Sequence, residues 1–209
     1  MRLELAERLR CPGAHAPTPL IVVAQETHDR LLHRAIVGCA VCGLEARIAS
    51  GVLTLPSGLQ VRPADDAAGL PAHAEVAEGV EDVERLAAFL HLDAPGGAIL
   101  LAGGYARFGA VLASAYGVQA IALVPPTTRG GPATAIPFTD ATFRAAAVEG
   151  LPDTALVDLA RVTVPGGRIV APATVDPPLG VSLLARDARE WVGASEGAGR
   201  GGVVELKRR

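Results

Sequence analysis

Apolar positions along the chain fall into two rhythms. In 98–102 (AILLA), 119–124 (QAIALV), 143–148 (FRAAAV) and 168–173 (RIVAPA) they form short runs bounded by Gly and Pro. That is the pattern of strands buried on both sides. From Val80 to His91 they recur at helical spacing, at Val80, Val83, Leu86, Ala87 and Leu90, and 93–97 (DAPGG) stops the helix. Gly103-Gly104 turns the chain into a second predicted helix over 105–116, closed by Gly117. A third spans 151–162, with Pro152 in its first turn and Asp153 favourable at that terminus. Residues 127–133 read as a loop, 135–136 as part of a weak strand and 165–167 (PGG) as a turn. The last strands are 181–187 (VSLLARD) and 201–209 (GGVVELKRR), separated by a short helical stretch at 190–192 and a Gly-rich loop. Strands alternating with helices predict an α/β fold: a compact, Rossmann-like, mostly parallel sheet with helices on both faces.

Upstream the pattern changes. Residues 19–23 (PLIVV) and 33–38 (HRAIVG) read as the strands of a hairpin, and 57–79 is rich in Pro, Gly, Ala and acid, the composition of a linker. The expected organisation is a small unit over 1–56, a linker over 57–79 and an α/β domain over 80–209.

Composition narrows the function. Half of the 209 residues are apolar and 20% are charged, enough core to exclude intrinsic disorder. A net charge of -3 argues against nucleic-acid binding by bulk charge, and one Trp, two Tyr and four Phe leave little for base stacking. Residues 1–10 lack the apolar centre of a signal peptide, and glycines split the apolar region 96–126 into pieces too short for a membrane helix. A cytoplasmic location follows as the expectation, with reduced cysteines available for metal.

The three cysteines all fall within residues 11–42. Cys11 and His15 are spaced C-x3-H, Cys39 and Cys42 C-x2-C, with Pro12-Gly13 turning the first pair and Gly38 and Gly43 flanking the second. Two short loops brought together by a hairpin are how a ribbon offers four soft or borderline ligands to zinc. The expected set is Cys11, His15, Cys39 and Cys42, a closed set and so a structural zinc. His28 and His33 are the alternatives for the fourth place, but both sit where the hairpin strands are expected.

These residues carry a resemblance. LELAERLRCPGAH and IVGCAVCGLEARIASGVLTL resemble the small zinc-ribbon subunit that activates RNA- and translation-factor methyltransferases. The chain keeps Ile48 and Gly51 of that family's last strand, without its aromatic or Asp, and has His15 where the family has a Cys one residue earlier. From residue 80 onward, ILLAGGYARFG (99–109), AIPFTDATFRAAAVEG (135–150) and LARVTVPGGRIVAP (159–172) are similar in order to segments of class I S-adenosylmethionine-dependent methyltransferases. The resemblance implies a cofactor seat at the glycine loop, where Gly104 is kept and Ala102 and Ala106 flank it. It also implies acids near the methionine amino group and the ribose. The matching positions hold Leu100 and Val124, and the Asp after the family's Phe is Arg144. No Asp or Glu occurs between Pro95 and Thr139. Losing a charged ribose partner costs about 1.5–3 kcal/mol, so weak S-adenosylmethionine binding is expected.

Other residues have ordinary uses. Arg107 reads as a solvated helix side chain, Asp140 as a cap at Ala141 and Trp191 as a packing anchor. Asp65, Asp66 and His73 read as linker residues, and Lys207, Arg208 and Arg209 as a short basic tail. The functional expectation is a non-catalytic, methyltransferase-like scaffold with a structural zinc, whose partner is another protein or a second copy. Two alternatives stay open. One is an active methyltransferase with an atypical cofactor grip, using the backbones of Gly103 and Gly104 and a distant acid such as Glu149. The other is a small-molecule binding module.

Overall fold

The computed structural model describes residues 1–64, 80–126 and 135–197. The expected strand at 201–209, the loop at 127–133 and residues Asp65, Asp66 and His73 lie outside them. The N-terminal part is a short helix α1 (Leu3–Ala6) and a meander of β1 (Ile21–His28), β2 (Leu31–Gly38), β3 (Glu45–Ala49), β4 (Val52–Thr54) and β5 (Gln60–Pro63). Then come α2 (Val80–Phe89), β6 (Ala98–Ala102), a 3-10 segment (Gly103–Phe108), α3 (Gly109–Tyr116), β7 (Gln119–Val124) and β8 (Phe143–Ala147). The last elements are α4 (Asp153–Val162), β9 (Thr163–Pro172), β10 (Val181–Arg186) and β11 (Glu190–Ser195).

The eleven strands of the described residues form one mixed sheet in the order β1-β2-β3-β4-β5-β7-β6-β8-β9-β11-β10. Strands β1 to β5 pair antiparallel with their neighbours, β7, β6, β8 and β9 are parallel, and β11 and β10 return antiparallel. The seam between the two regions is β5 against β7, with Gln60 opposite Val124 and Pro63 opposite Ile121.

This overturns the expected fold class. The protein is mostly β, and the described helices span ten residues at most. It is not a Rossmann-like α/β fold with helices on both faces. Two local misreadings account for much of the difference. The stretch taken for linker begins with β5, because Leu55, Leu59 and Val61 bury their side chains against the sheet. The stretch taken for helix at 190–192 is β11, because Asp187 builds a tight turn before it. The Asp187 carboxylate accepts from the amides of Arg189 (2.7 Å) and Glu190 (2.8 Å), and its own amide donates to the Glu190 carbonyl (3.0 Å). An Asx-type turn of that kind reverses the chain into a hairpin. β10 pairs with β11 across that turn. Residues 135–136 form no strand; Phe138 makes a single bridge to Leu9. The 165–167 turn is absorbed into β9, at a register shift against β8.

Two apolar clusters hold the sheet. One joins Leu5, Leu9, Leu32 and Val37 of the N-terminal region to Phe138, Phe143, Leu159 and Trp191. Phe138 and Phe143 meet edge to face, 4.9 Å between centroids. The Trp191 indole is fully buried and donates to the Val175 carbonyl at 2.7 Å, which satisfies its one polar atom. The other cluster packs α2 and α3 on Ile99, Leu101, Ala122 and Ala145. Gly109 opens α3 directly against Ala64, and a Cβ there would overlap that residue, so the end of β5 and the start of α3 are locked together.

Candidate metal centre

Cys11 is placed by backbone bonds on both sides. Arg10 donates to the Pro137 carbonyl (3.1 Å), and the Cys11 amide to the Thr18 carbonyl (2.9 Å), closing residues 11–18 into a loop. The second loop follows β2: the Cys39 amide donates to Leu44 (2.9 Å) and the Gly43 amide to Cys39 (3.0 Å). Gly43 has φ +68, a conformation that glycine adopts without a Cβ penalty. The two loops meet because the hairpin register sets Ile21 opposite Gly38, so the start of β1 lies beside the end of β2.

The sulfurs of Cys11, Cys39 and Cys42 and a ring nitrogen of His15 all lie within 4.8 Å of one another. Cys11 Sγ is 3.6 Å from Cys42 Sγ, and His15 Nε2 is 3.2 Å from Cys11 Sγ and 3.5 Å from Cys39 Sγ. Ligands about 2.3 Å from a tetrahedral zinc have edges of about 3.8 Å, so the group fits around one such ion. His15 Nδ1 lies 2.8 Å from the Ala16 carbonyl. A proton on Nδ1 donates there and leaves the Nε2 lone pair facing the sulfurs, the usual support for a ligating histidine. The same carbonyl accepts from Thr18 Oγ1 at 2.8 Å.

The titratable groups of the cluster are held unequally. The amides of Cys42 and Val41 facing Cys39 pull its pKa down to about 6, while burial pushes Cys11 up to about 11. The bond to Ala16 holds the His15 ring above its ordinary pKa, with Cys42 and Cys39 adding to the effect. Cys11 and Cys39 are buried and Cys42 is exposed. The alternatives His28 and His33 stay on β1 and β2, outside the group.

The glycine loop lies elsewhere, at the carboxyl ends of β6 and β8. Gly104 lines a crevice of about 270 Å³ with Arg85, Tyr105, Arg107, Glu149 and Glu190. The Gly104 amide donates to Glu149 Oε2 at 3.0 Å. Tyr105 donates to Glu190 (2.7 Å), and Arg85 pairs with Glu190 (2.6 Å) and Asp187 (2.9 Å). Where the methyltransferase resemblance implies acids, Leu100 is fully buried and apolar. Arg144 caps the carbonyls of Ala94 (2.6 Å), Gly96 and His91 (both 3.0 Å). Arg107 is exposed and stacks over Phe108 at 4.5 Å.

Asp140 does not cap Ala141; it accepts from Arg10 (3.2 Å) and Arg161 (3.1 Å). Sequence reasoning missed Arg161 itself, which also binds Asp158 and the carbonyls of Ile136 and Phe138. Its signal is faint: an i,i+3 Asp–Arg pair on a predicted helix.

No protein-family model matches the chain, and no curated protein matches it. Among the described residues, no helix is long and apolar enough to cross a membrane.

Proposed function

We propose that this chain is a zinc-stabilised, non-catalytic binding module, a scaffold that engages another protein. The observation that carries the reading is the closed donor set of Cys11, His15, Cys39 and Cys42. Three sulfurs and one imidazole suit zinc, and four protein ligands leave no position for water or substrate, the mark of a structural site. The resemblance of 1–56 to an activator subunit favours a protein partner. The crevice at Gly103 and Gly104 supports the non-catalytic half of the reading. Its glycine amide, its tyrosine hydroxyl and Arg85 are already engaged within the chain.

A second reading has one observation in its favour. Glu149 does reach into the crevice, so an acid stands near the glycine loop after all. An enzyme using S-adenosylmethionine would then swing Glu149 from Gly104 to the ligand. Isothermal titration of S-adenosylmethionine and S-adenosylhomocysteine into zinc-loaded protein separates the two. The scaffold reading expects no heat at millimolar cofactor, and micromolar binding sinks it. Metal analysis of the same sample should give one zinc per chain.

A further inference from the structure

We infer that oxidation by a hydroperoxide joins Cys42 to Cys11, across the two loops of the metal centre, and not to Cys39 within its own turn. The inference rests on the donor cluster described above and names a modification of that cluster. The sulfurs differ in access: Cys42 is exposed, whereas Cys11 and Cys39 are buried. An oxidant arriving from solvent therefore meets Cys42 first. The turn that carries Cys42 projects outward, with Val41 63% exposed and open space around Gly43. Cys11 Sγ lies 3.6 Å from Cys42 Sγ, so a shift of about 1.5 Å brings the two sulfurs to the usual bond length. Cys39 is held differently. Its sulfur accepts from two backbone amides, those of Val41 and Cys42, which direct its lone pairs into the turn. Cys11 Sγ accepts from one amide, that of Gly13, at a long 3.4 Å.

Hydrogen peroxide alone completes the chemistry. The Cys42 thiolate attacks one oxygen of the peroxide. An S–O bond forms, the O–O bond breaks, and the departing hydroxide takes a proton from solvent to become water. Cys42 is thereby oxidised by two electrons to the sulfenic acid, and the peroxide is reduced. The Cys11 thiolate then attacks the Cys42 sulfur. The S–S bond forms, the S–O bond breaks, and the second hydroxide is protonated to water. In sum, two thiolates, one peroxide and two protons give one disulfide and two waters. Cys39 and His15 remain as donors, too few for a tetrahedral zinc site, so the metal is released. The two possible products differ in what they tie together. Cys11 and Cys42 stand 31 positions apart, and a bond between them holds the 11–18 loop to the end of β2, as a shared metal ion would. A Cys39–Cys42 bond spans one turn and leaves that connection open. Cross-linking stabilises more the longer the loop it closes, so only the first product keeps the clamp after metal loss.

Peptide mapping of the zinc-loaded wild-type chain tests this. Hydrogen peroxide is added, remaining thiols are alkylated, and the chain is cut with trypsin without reduction. Cleavage after Arg10, Arg30, Arg34 and Arg47 puts Cys11 in peptide 11–30 and both Cys39 and Cys42 in peptide 35–47. The expected product is 11–30 linked to 35–47 through Cys42, with Cys39 alkylated. One zinc should reach a chromogenic chelator for each disulfide formed. A disulfide internal to 35–47, a link through Cys39 or two copies of 35–47 joined together overturns the inference. So does Cys42 recovered as sulfinic acid, or no disulfide at all. Melting gives a second readout without a variant: the oxidised, metal-free chain should melt several degrees above the reduced, metal-free chain. Equal melting temperatures also overturn the cross-loop bond. Zinc content of the reduced chain and the cofactor titration do not depend on which disulfide forms. If the reduced chain binds no zinc, the proposed function fails while the peptide map still assigns the bond.

Discussion

Leu9 and Phe138 pair backbone to backbone as a single antiparallel bridge, both side chains fully buried, with Leu9 two residues before the candidate ligand Cys11. Flanking bonds, Arg10 to Pro137 (3.1 Å) and Thr139 to Arg8 (2.7 Å), extend the bridge on either side. The N-terminal region is thereby fixed to the chain entering β8 at a point where the two apolar halves share one cluster.

Phe138→Ala should therefore cost about 3–5 kcal/mol, the range for a buried Phe truncation. Urea unfolding followed by Trp191 fluorescence measures it. Because Phe138 touches both regions, one transition is expected. Two separated transitions would show that the regions unfold independently.

Zinc stoichiometry should identify the ligands. Cys11→Ser, Cys39→Ser and His15→Ala should lose stoichiometric metal, while His28→Ala and His33→Ala keep one ion per chain by elemental analysis. Chelation should lower the melting temperature. With free zinc a thousandfold above its dissociation constant, the metal contributes about 4 kcal/mol. Loss of metal from His33→Ala with retention by His15→Ala would reassign the fourth ligand.

Arg161 should matter more than a surface arginine. Its side chain is 14% exposed, beside Asp158 at 17%, and it satisfies two carbonyls of the 136–138 segment. Burial opposes its charge, and Asp158 and Asp140 outweigh that effect, holding its pKa above the ordinary value. Arg161→Ala leaves both carbonyls without that donor and Asp158 with the Ile136 amide but no countercharge from the same helix, and should destabilise by about 3 kcal/mol, read from the denaturant midpoint. Arg161→Lys should restore only part, since one ammonium cannot span the same acceptors.

Asp187 sets a pH dependence. The amides of Glu190 and Arg189 hold its carboxyl below the ordinary value in the folded chain. A depressed folded pKa adds stability above the unfolded value and loses it as pH falls through the folded one. Denaturant midpoints of Asp187→Ala should therefore converge on wild type in acid and separate above the usual carboxylate range. Asp187→Asn, which keeps an acceptor oxygen, should fall between them and lose the pH dependence.

The metal group was legible because its information is local. C-x3-H and C-x2-C place two ligands each, and one hairpin, itself readable in 19–38, brings them together. The runs at 98–102, 119–124 and 143–148 were legible as strands for the same reason. What escaped was partnership. Nothing in QVRP announces that β5 will lie beside β7 some sixty positions later, and its Pro-, Gly- and acid-rich surroundings pointed to linker. EWVGAS reads as helix or strand until the turn at Asp187 decides it. The reach of Glu149 to Gly104 depends on the parallel register of β6 and β8, Leu101 beside Ala147, across 45 residues. Glu149 was readable as a distant acid that could serve the glycine loop, but not that this register would deliver it there.

The pairing of β5 with β7 also bears on affinity. Residues 65–79 connect that strand directly to α2, so its edge meets the rest of the sheet as a tethered group rather than a free one. Short tethers give effective concentrations of about millimolar, so even a seam too weak to hold two separate polypeptides together would stay shut in one. Truncating the fully buried Val61 would still cost its core packing, but substitutions at the half-buried Gln60 and Pro63 should then be mild in the intact chain. They would become decisive only when the backbone is cut between the two regions, where the same residues would have to earn their association from dilute solution.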